Sequence, residues 1–380
     1  MVVLGATGSI GTQTLEVADH LEIDVVGLAA RNPSPAFVEV VSRYPDAAVA
    51  VSEGSYEDRD AFVSQIGRNV GFGPDEVVAL AGLPGVTVVN GIVGASGLRS
   101  SVAALEAGNR LALANKESLV AGGPVVRKAL AGAAAAGGEM IPVDSEHSAL
   151  YQCLAGEPGE AVARLMLTAS GGPFRGRDRE SLLEVTPDEA LRHPTWDMGR
   201  RITIDSATMF NKGLEIIEAH FLFGIPYDRI HVVVHPQSIL HSAVEFVDGS
   251  WKGHIGVPDM RIPIQYALTA PDRLVSPAAP FDLAGQTLAF EEPDRDVFPA
   301  IDIAYAAGRQ GGSSPAVLNA ADEVAVDAFL QGRLGFLDIS EVVSSTIETV
   351  EWRELGTVED VTKVDREARA TASSLVAGAR

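Results

Sequence analysis

Two acidic clusters carry the most specific chemistry in this chain. Pro142-Val-Asp144-Ser-Glu146-His147-Ser148 sets two carboxylates at i and i+2, which in extended backbone point to one side. Asp205-Ser206-Ala-Thr208-Met-Phe-Asn211-Lys212-Gly-Leu-Glu215 brings an amide, an ammonium and a carboxylate to one helix face, with Ser206 suited to start that helix. Asp144, Glu146 and Glu215, lacking a matching Cys or paired His set, suit an oxygen-rich Mg²⁺ or Mn²⁺ site better than zinc. The same spacing also allows a plainer arrangement, with Asp144 and Glu146 as surface charges and Glu215 paired to Lys212.

A glycine-rich turn, Gly5-Ala-Thr7-Gly8-Ser9-Ile10-Gly11, follows an apolar strand and opens an amphipathic helix through Leu15, Val17 and Leu21. Backbone N–H groups there can approach a pyrophosphate at the positive helix end, with Thr7, Gly8, Ser9 and Ile10 nearest. The next strand ends in Ala29-Ala30-Arg31-Asn32, without the carboxylate that receives a ribose 2′-hydroxyl. A guanidinium and an amide suit a 2′-phosphate, so NADP is favoured over NAD. A tight turn with no ligand is the alternative.

Other polar segments fall where ligands bind. Asn115-Lys116-Glu117-Ser118 emerges at the carboxyl edge of the parallel sheet, and Lys116 is placed to meet an anion or carbonyl. Thr168-Ala-Ser170-Gly-Gly172-Pro173 reads as a second anion-binding turn or as a plain one. Residues 192–200 mix Pro, Gly and a large aromatic without periodicity, as in a mobile loop. Trp196 there can cover a ligand or anchor the loop, and His193 can bind phosphate or be structural.

These segments need scaffolding. Short β-branched runs at 2–4, 24–28, 48–51, 86–89 and 110–114 alternate with helical stretches, which predicts βαβ units and a parallel sheet. Beyond Glu139, runs at 164–169, 230–235, 241–247 and 254–257 predict a second, α+β domain with an open sheet. Prolines 271, 277, 280, 293 and 299 make an extended linker, followed by a helical portion. Helix caps are expected at Ser314 with Pro315, at Ser340, and in a Thr357/Asp360 capping box.

With 380 residues the chain has room for two or three domains. Its formal charge of −22 disfavours nucleic acid, and an anionic small ligand needs local donors and ideally a metal. The single Cys153 excludes an intrachain disulfide and fits a reducing compartment, so the cytoplasm is expected. Residues 77–98 are uncharged but broken by Pro84 and several glycines, a poor membrane helix, and no signal peptide is expected.

Taken together, Gly5 to Gly11, Leu113 to Val120, Pro142 to Ser148, Thr168 to Phe174, His193 to Glu215, His235-Pro-Gln-Ser238 and Pro258 to Pro263 closely resemble the 1-deoxy-D-xylulose 5-phosphate reductoisomerase family over nearly the whole chain. The resemblance implies NADPH-dependent, metal-dependent rearrangement and reduction of that sugar phosphate to 2-C-methyl-D-erythritol 4-phosphate in the non-mevalonate isoprenoid pathway. It implies an α/β chain, likewise divided: a Rossmann-like NADPH-binding domain over 1–142, an α+β catalytic domain over 143–270, a linker over 271–299 and a helical domain over 300–380. It also implies a V-shaped homodimer.

By resemblance, Asp144, Glu146 and Glu215 hold the metal, with Lys116 also catalytic. Ser145 and Lys116 contact the hydroxy-ketone portion, while Ser170, His193, Ser206, Asn211 and Lys212 surround the phosphate. Trp196 and Met198 lie on the closing loop. Thr7, Gly8, Ser9, Ile10, Ala30, Arg31, Asn32, Asn115, Glu117 and Gly199 contact NADPH.

The chain departs from the pattern at Arg31, where many members have Lys, and at Asp322, which replaces a frequent Asn. It begins a few residues before Gly5, so a clipped first strand is expected, leaving open whether Met1 is the native start. Other classes fit less well. A semialdehyde dehydrogenase would need Cys153 as nucleophile, but its apolar surroundings suit a structural thiol. A sugar epimerase would need a Tyr with Lys four residues on, which is absent. An NADP-sensing protein would not need three carboxylates.

Overall fold

The computed structural model describes residues 1–196 and 198–378, so Asp197 of the expected loop and the last two residues of the expected helical domain lie outside the described residues. The chain forms two compact units: 1–118 with 125–148 and 259–279, and 119–124 with 149–258 and 280–380.

The first unit is built on a seven-stranded sheet: β1 (Val2–Leu4), β2 (Gly27–Ala30), β3 (Ala48–Val51), β4 (Gly71–Phe72), β5 (Thr87–Asn90), β6 (Arg110–Leu113) and β7 (Glu139–Pro142). The spatial order is β4-β3-β2-β1-β5-β6-β7 and every pairing is parallel. Helices cover both faces of such a sheet, so its strands are apolar without alternation; Val2, Val3 and Leu4 are fully buried. Strand order reverses beside β1, which opens a crevice at the carboxyl ends where ligands bind this architecture.

Five of these strands match the sequence reading within a few residues, and two were not foreseen. β4 spans only Gly71–Phe72, too short for a hydrophobic run to register. β7 falls at the point where the sequence changes character, yet it pairs with β6 in register, Leu111 opposite Met140. Arg110 binds the later segment of this unit: its Nη1 donates to the Leu268 carbonyl at 2.9 Å and its Nη2 to the Ala270 carbonyl at 2.8 Å.

The second unit holds β8 (Val162–Ala169), β9 (Ile230–Val234), β10 (Leu240–Phe246) and β11 (Trp251–Ile255), ordered β11-β10-β8-β9 with only β8 and β9 parallel. β11 begins at Trp251, ahead of the predicted 254–257 run. It tolerates Gly253 because a Cβ there would lie 2.7 Å from Leu240 Cδ1 on the neighbouring strand. Helices Ala300–Gln310, Ser314–Leu330, Asp338–Thr349 and Val358–Gly378 pack on the core shared with β8 to β10. The expected linker has no helix, and Glu291 within it bridges to Val234 by paired backbone bonds of 2.8 and 2.9 Å.

The Thr357/Asp360 box forms, with Thr357 N–H donating to Asp360 at 3.0 Å and Asp360 N–H to Thr357 Oγ1 at 3.1 Å. The other two caps shift. Ser313, not Ser314, is the cap residue before Pro315, and Ser340 lies inside a helix that begins at Asp338. Among the described residues one helix, Lys116–Ala136, is long and apolar enough to cross a membrane by composition. It kinks at Gly122, carries Pro124, and accepts Phe221 against Gly123, features of a helix packed within protein.

Gly11 is buried at the start of helix Ser9–His20, where a Cβ would stand 2.2 Å from the Gly5 carbonyl oxygen. That contact and those with Ala6 Cα and carbonyl carbon at 2.7 and 2.8 Å are backbone and cannot yield. Gly11→Ala is therefore expected to lose roughly 2 kcal/mol or more, lowering the melting temperature by about 4 °C or more. Gly132→Ala, in an exposed helical position with open space, is expected to raise stability slightly. Thermal melts of the two variants check this, and equal shifts would contradict it.

Candidate active site

In the first unit the glycine turn links β1 to helix Ser9–His20. Gly5 has φ +81°, and its N–H and that of Ala6 both donate to the Ala29 carbonyl at 2.9 Å, tying the turn to β2. Gly8 caps helix Ser9–His20 without any side-chain hydrogen bond, so first-turn amides face outward. Thr7, Gly8 and Ser9 are exposed and Ile10 half-buried.

Ala30 ends β2 buried, and Arg31 and Asn32 follow it into solvent. The sequence reading found no carboxylate here, but one arrives from the end of β3: Glu53 Oε2 lies 2.9 Å from Arg31 Nε. The pair is exposed, so water screens it and the guanidinium can turn to a stronger anion.

Asn115, Lys116 and Glu117 open helix Lys116–Ala133, Asn115 capping it by accepting from Ser118 N–H at 3.1 Å. Asn115 Nδ2 also donates to the Ile92 and Gly94 carbonyls at 2.6 and 2.9 Å, and Glu117 accepts from Gly94 N–H at 3.0 Å. Both side chains are buried and shape the 92–94 loop. Lys116 Nζ meets Asp144 Oδ2 at 2.6 Å with both side chains nearly dry.

Asp144 and Glu146 are not in extended backbone as expected. Asp144 directly precedes helix Ser145–Leu154 and Glu146 lies in its first turn, so helix entry, not strand alternation, groups them. Asp144 Oδ1 accepts from Glu146 N–H at 3.4 Å, and Ser145 Oγ donates to the Glu146 carboxylate. Carboxylates at a helix start are favoured by the unsatisfied amides there.

The second unit gathers the remaining candidates. Gly172, at φ +68°, has room for no Cβ, which would lie 2.7 Å from the Ser206 carbonyl oxygen. This close approach seats the Ser170 turn against helix Arg200–Thr208. Ser206 does not start the helix carrying Asn211, Lys212 and Glu215, Phe210–Phe223, but lies in the last turn of Arg200–Thr208, because Met209 adopts φ +67° and separates the two.

Ser170 Oγ is 2.9 Å from His193 Nε2 and also accepts from Gly172 N–H at 3.2 Å. His193 Nδ1 accepts from the N–H groups of Thr195 and Trp196 at 3.1 and 2.9 Å. With Nδ1 an acceptor, the proton sits on Nε2 and donates to Ser170. Burial holds the imidazole below its ordinary pKa, in agreement with that neutral form.

Helix Phe210–Phe223 carries Asn211, Lys212 and Glu215. Glu215 is fully buried and both its oxygens are engaged: Asn211 Nδ2 donates to Oε1 at 2.6 Å and Lys212 Nζ pairs with Oε2. The pairing left open by spacing is therefore present, in a dry setting where a carboxylate requires a positive partner. Trp196 rests 6.3 Å, centroid to centroid, from His241, whose ring faces His254 at 5.7 Å. Neither histidine was singled out from sequence, since no motif surrounds them. Met198 is half-buried and Gly199 caps helix Arg200–Thr208, exposed.

Three models of 1-deoxy-D-xylulose 5-phosphate reductoisomerase regions match residues 1–123, 140–223 and 255–371. The reductoisomerase of Desulforamulus reducens is 46% identical over 98% of both chains, and that of Chlorobium chlorochromatii 48% identical over 98% of both. This chain belongs to the 1-deoxy-D-xylulose 5-phosphate reductoisomerase family. The solved Zymomonas mobilis reductoisomerase with NADPH superposes at TM-score 0.90, with 40% identity over 99% of this chain and 98% of that one. A reductoisomerase solved with NADPH, fosmidomycin and magnesium gives TM-score 0.91, with 35% identity over 99% and 97%.

The two units of this reductoisomerase divide its candidate residues. Thr7 to Ile10, Ala30 to Asn32, Asn115 to Glu117 and Asp144 to Glu146 belong to the first; Ser170, His193, Trp196, Met198, Gly199, Ser206, Asn211, Lys212 and Glu215 belong to the second. Within the second unit, Ser170 with His193 and Asn211 with Lys212 and Glu215 are brought together.

His193 supplies a pH test. Its pKa is depressed on folding, so the unfolded chain takes up the proton first as pH falls below about 6.5, and stability is lost toward acid. The C2 proton of His193 should titrate with a midpoint below 6.5 by NMR, and His193→Gln should flatten the acid side of the stability profile. A midpoint above 6.5 would exclude the buried neutral imidazole.

Proposed function

We propose that this chain converts 1-deoxy-D-xylulose 5-phosphate to 2-C-methyl-D-erythritol 4-phosphate, rearranging the carbon skeleton and reducing the resulting aldehyde with NADPH in the presence of Mg²⁺ or Mn²⁺. The observation that carries this reading is identity of 46–48% to reductoisomerases over nearly the full chain. Relatives solved with NADPH and with magnesium supply the cofactor classes. This places the enzyme in the non-mevalonate isoprenoid pathway.

The chain's own chemistry fits both groups. Thr7, Gly8 and Ser9 are exposed, and Gly5 and Gly11 stand where a Cβ would strike backbone, as a pyrophosphate cradle requires. Arg31 and Asn32 take the 2′-phosphate, with Ala30, Asn115, Glu117 and Gly199 completing the cofactor contacts. Asp144, Glu146 and Glu215 form an all-oxygen donor set for a hard divalent cation. When bound, the cation stabilises negative charge developing on the substrate's carbonyl and adjacent hydroxyl, and NADPH supplies hydride.

The protein's part is to bind, orient and exclude water. Ser170, His193, Ser206, Asn211 and Lys212 hold the phosphate far from the reacting carbons, and that binding energy orients them. His193 arrives neutral with Nε2–H as a donor, and a phosphate dianion nearby raises its affinity for a second proton. Lys116 and Ser145 meet the hydroxy-ketone. Trp196 and Met198 cover the intermediate when loop 192–200 closes. The functional division is 1–142 for NADPH, 143–270 for catalysis, 271–299 as linker and 300–380 as a helical domain. The active form is a cytoplasmic homodimer.

NADPH absorbance with 1-deoxy-D-xylulose 5-phosphate should fall with Mg²⁺ or Mn²⁺ and stop on chelation; oxidation indifferent to chelator removes the metal from the scheme. Glu215→Gln should lower turnover by about 10²-fold or more while NADPH binding is retained, and wild-type turnover would take Glu215 out of the site.

Arg31→Ala should weaken NADPH about tenfold or more while leaving NADH little changed, and an unaltered preference between them would refute the 2′-phosphate role.

A further inference from the structure

A buried charge network in the second unit stands outside the residues assigned above. Arg201, on helix Arg200–Thr208, reaches three carboxyl groups: Asp205 at 3.6 Å, Asp322 at 3.6 Å and Glu323 at 3.1 Å. Glu323 continues to Arg369 at 2.6 Å and accepts from Asn319 at 3.0 Å, and Arg369 meets Asp365 at 2.8 Å. Asp322 is wholly buried, and Asp205 lies within hydrogen-bond reach of it.

We propose that Asp322 is a positioning residue that, through Asp205 and Arg201, fixes helix Arg200–Thr208 and with it Ser206. This rests on the reading above that Ser206 meets the substrate phosphate. Helix Ser314–Leu330, which carries Asp322, is almost entirely buried and provides a rigid anchor. Arg201 lies two residues after Gly199, so the same anchor holds the point where loop 192–200 enters the helix. Thr203 reinforces that point, its N–H and Oγ1 donating to the Gly199 carbonyl at 3.1 and 2.9 Å.

The groups facing Asp322 define its state. Asp205, Asp322, Glu323 and Asp365 are four carboxyl groups against the two guanidinium groups of Arg201 and Arg369. Asp205 and Glu323 share Arg201 with Asp322, and the fully dry member is the one to stay neutral. Neither oxygen of Asp322 accepts a hydrogen bond from the protein. As a neutral acid it needs none on its hydroxyl, and donates that proton to Asp205 instead. Burial first, then the Asp205 charge, pushes its pKa well above the carboxylate range.

The test compares Asp322→Asn, which keeps a neutral donor of the same shape, with Asp322→Leu, which keeps volume and removes the donor. Asp322→Asn should leave KM for 1-deoxy-D-xylulose 5-phosphate within about twofold of the parent, whereas Asp322→Leu should raise it about tenfold or more with NADPH affinity unchanged. Amide hydrogen exchange over 200–208 should quicken in Asp322→Leu, stay parental in Asp322→Asn, and be unaltered over 338–349 in both. A folded Asp322→Leu with parental KM and exchange overturns the proposal, as does an Asp322→Asn with KM raised about tenfold. If Asp322→Leu does not fold, the Asp322→Asn arm decides alone. A parent inactive on this substrate would instead defeat the functional reading, and exchange would still report on the anchor.

Discussion

In each of the two units, carboxylates removed from water depend on being given a positive partner. Stripping a carboxylate of its hydration costs several kcal/mol even after relaxation, about what a well-placed ammonium returns. The chain meets this requirement twice with lysine: Lys116 with Asp144, and Lys212 with Glu215. In each pair the partner sits beside a helix start or one turn along a helix, so backbone geometry fixes where the charges point. The pairing gives each carboxylate a partner and holds one buried ammonium beside it. An apolar replacement could match the stability and would leave no chemistry.

Placement of these groups is accomplished by backbone that only glycine permits. Gly5 and Gly11 let a turn fold onto the end of β2, so that free amides point outward. Gly172 lets the Ser170 turn approach Ser206 to within a distance no side chain would allow. Gly213 does the same on the far face of helix Phe210–Phe223, where a Cβ would stand 2.8 Å from that of Ala304. Helix Phe210–Phe223 is thereby pressed onto helix Ala300–Gln310. The contribution of the C-terminal helices is rigidity, and it is transmitted through packing and through the Arg201 network.

Much of this was legible in the chain. Buried β-branched runs announced most strands, and a glycine turn following a strand announced the start of helix Ser9–His20, because both signals are local. What could not be read was set by structure distant in sequence. Glu53 reaches Arg31 only because β2 and β3 are neighbours. The helical entry at Asp144 was hidden because alternating polar residues fit a strand end and a helix cap equally well. Ser206 was misplaced because the break falls at Met209, a residue type that rarely adopts positive φ and gives no warning. Asp322 shows its burial only once three helices have assembled around it.

The global charge argues against this function, and magnitudes resolve the conflict. A formal charge of −22 repels a phosphorylated sugar and a dinucleotide alike. At physiological ionic strength, however, the field of exposed charges decays over about 8 Å, whereas contacts inside a dry site are screened far less. Lys116 and Lys212 are nearly fully buried, so each acts at close range and low dielectric. Helix-start amides at Gly8 add further positive potential at no cost in net charge. The acidic surface therefore sets solubility and slows encounter, and the local donors decide what binds. A strongly acidic enzyme can hold two anions in this way, provided its few buried cations are held where the anions must lie.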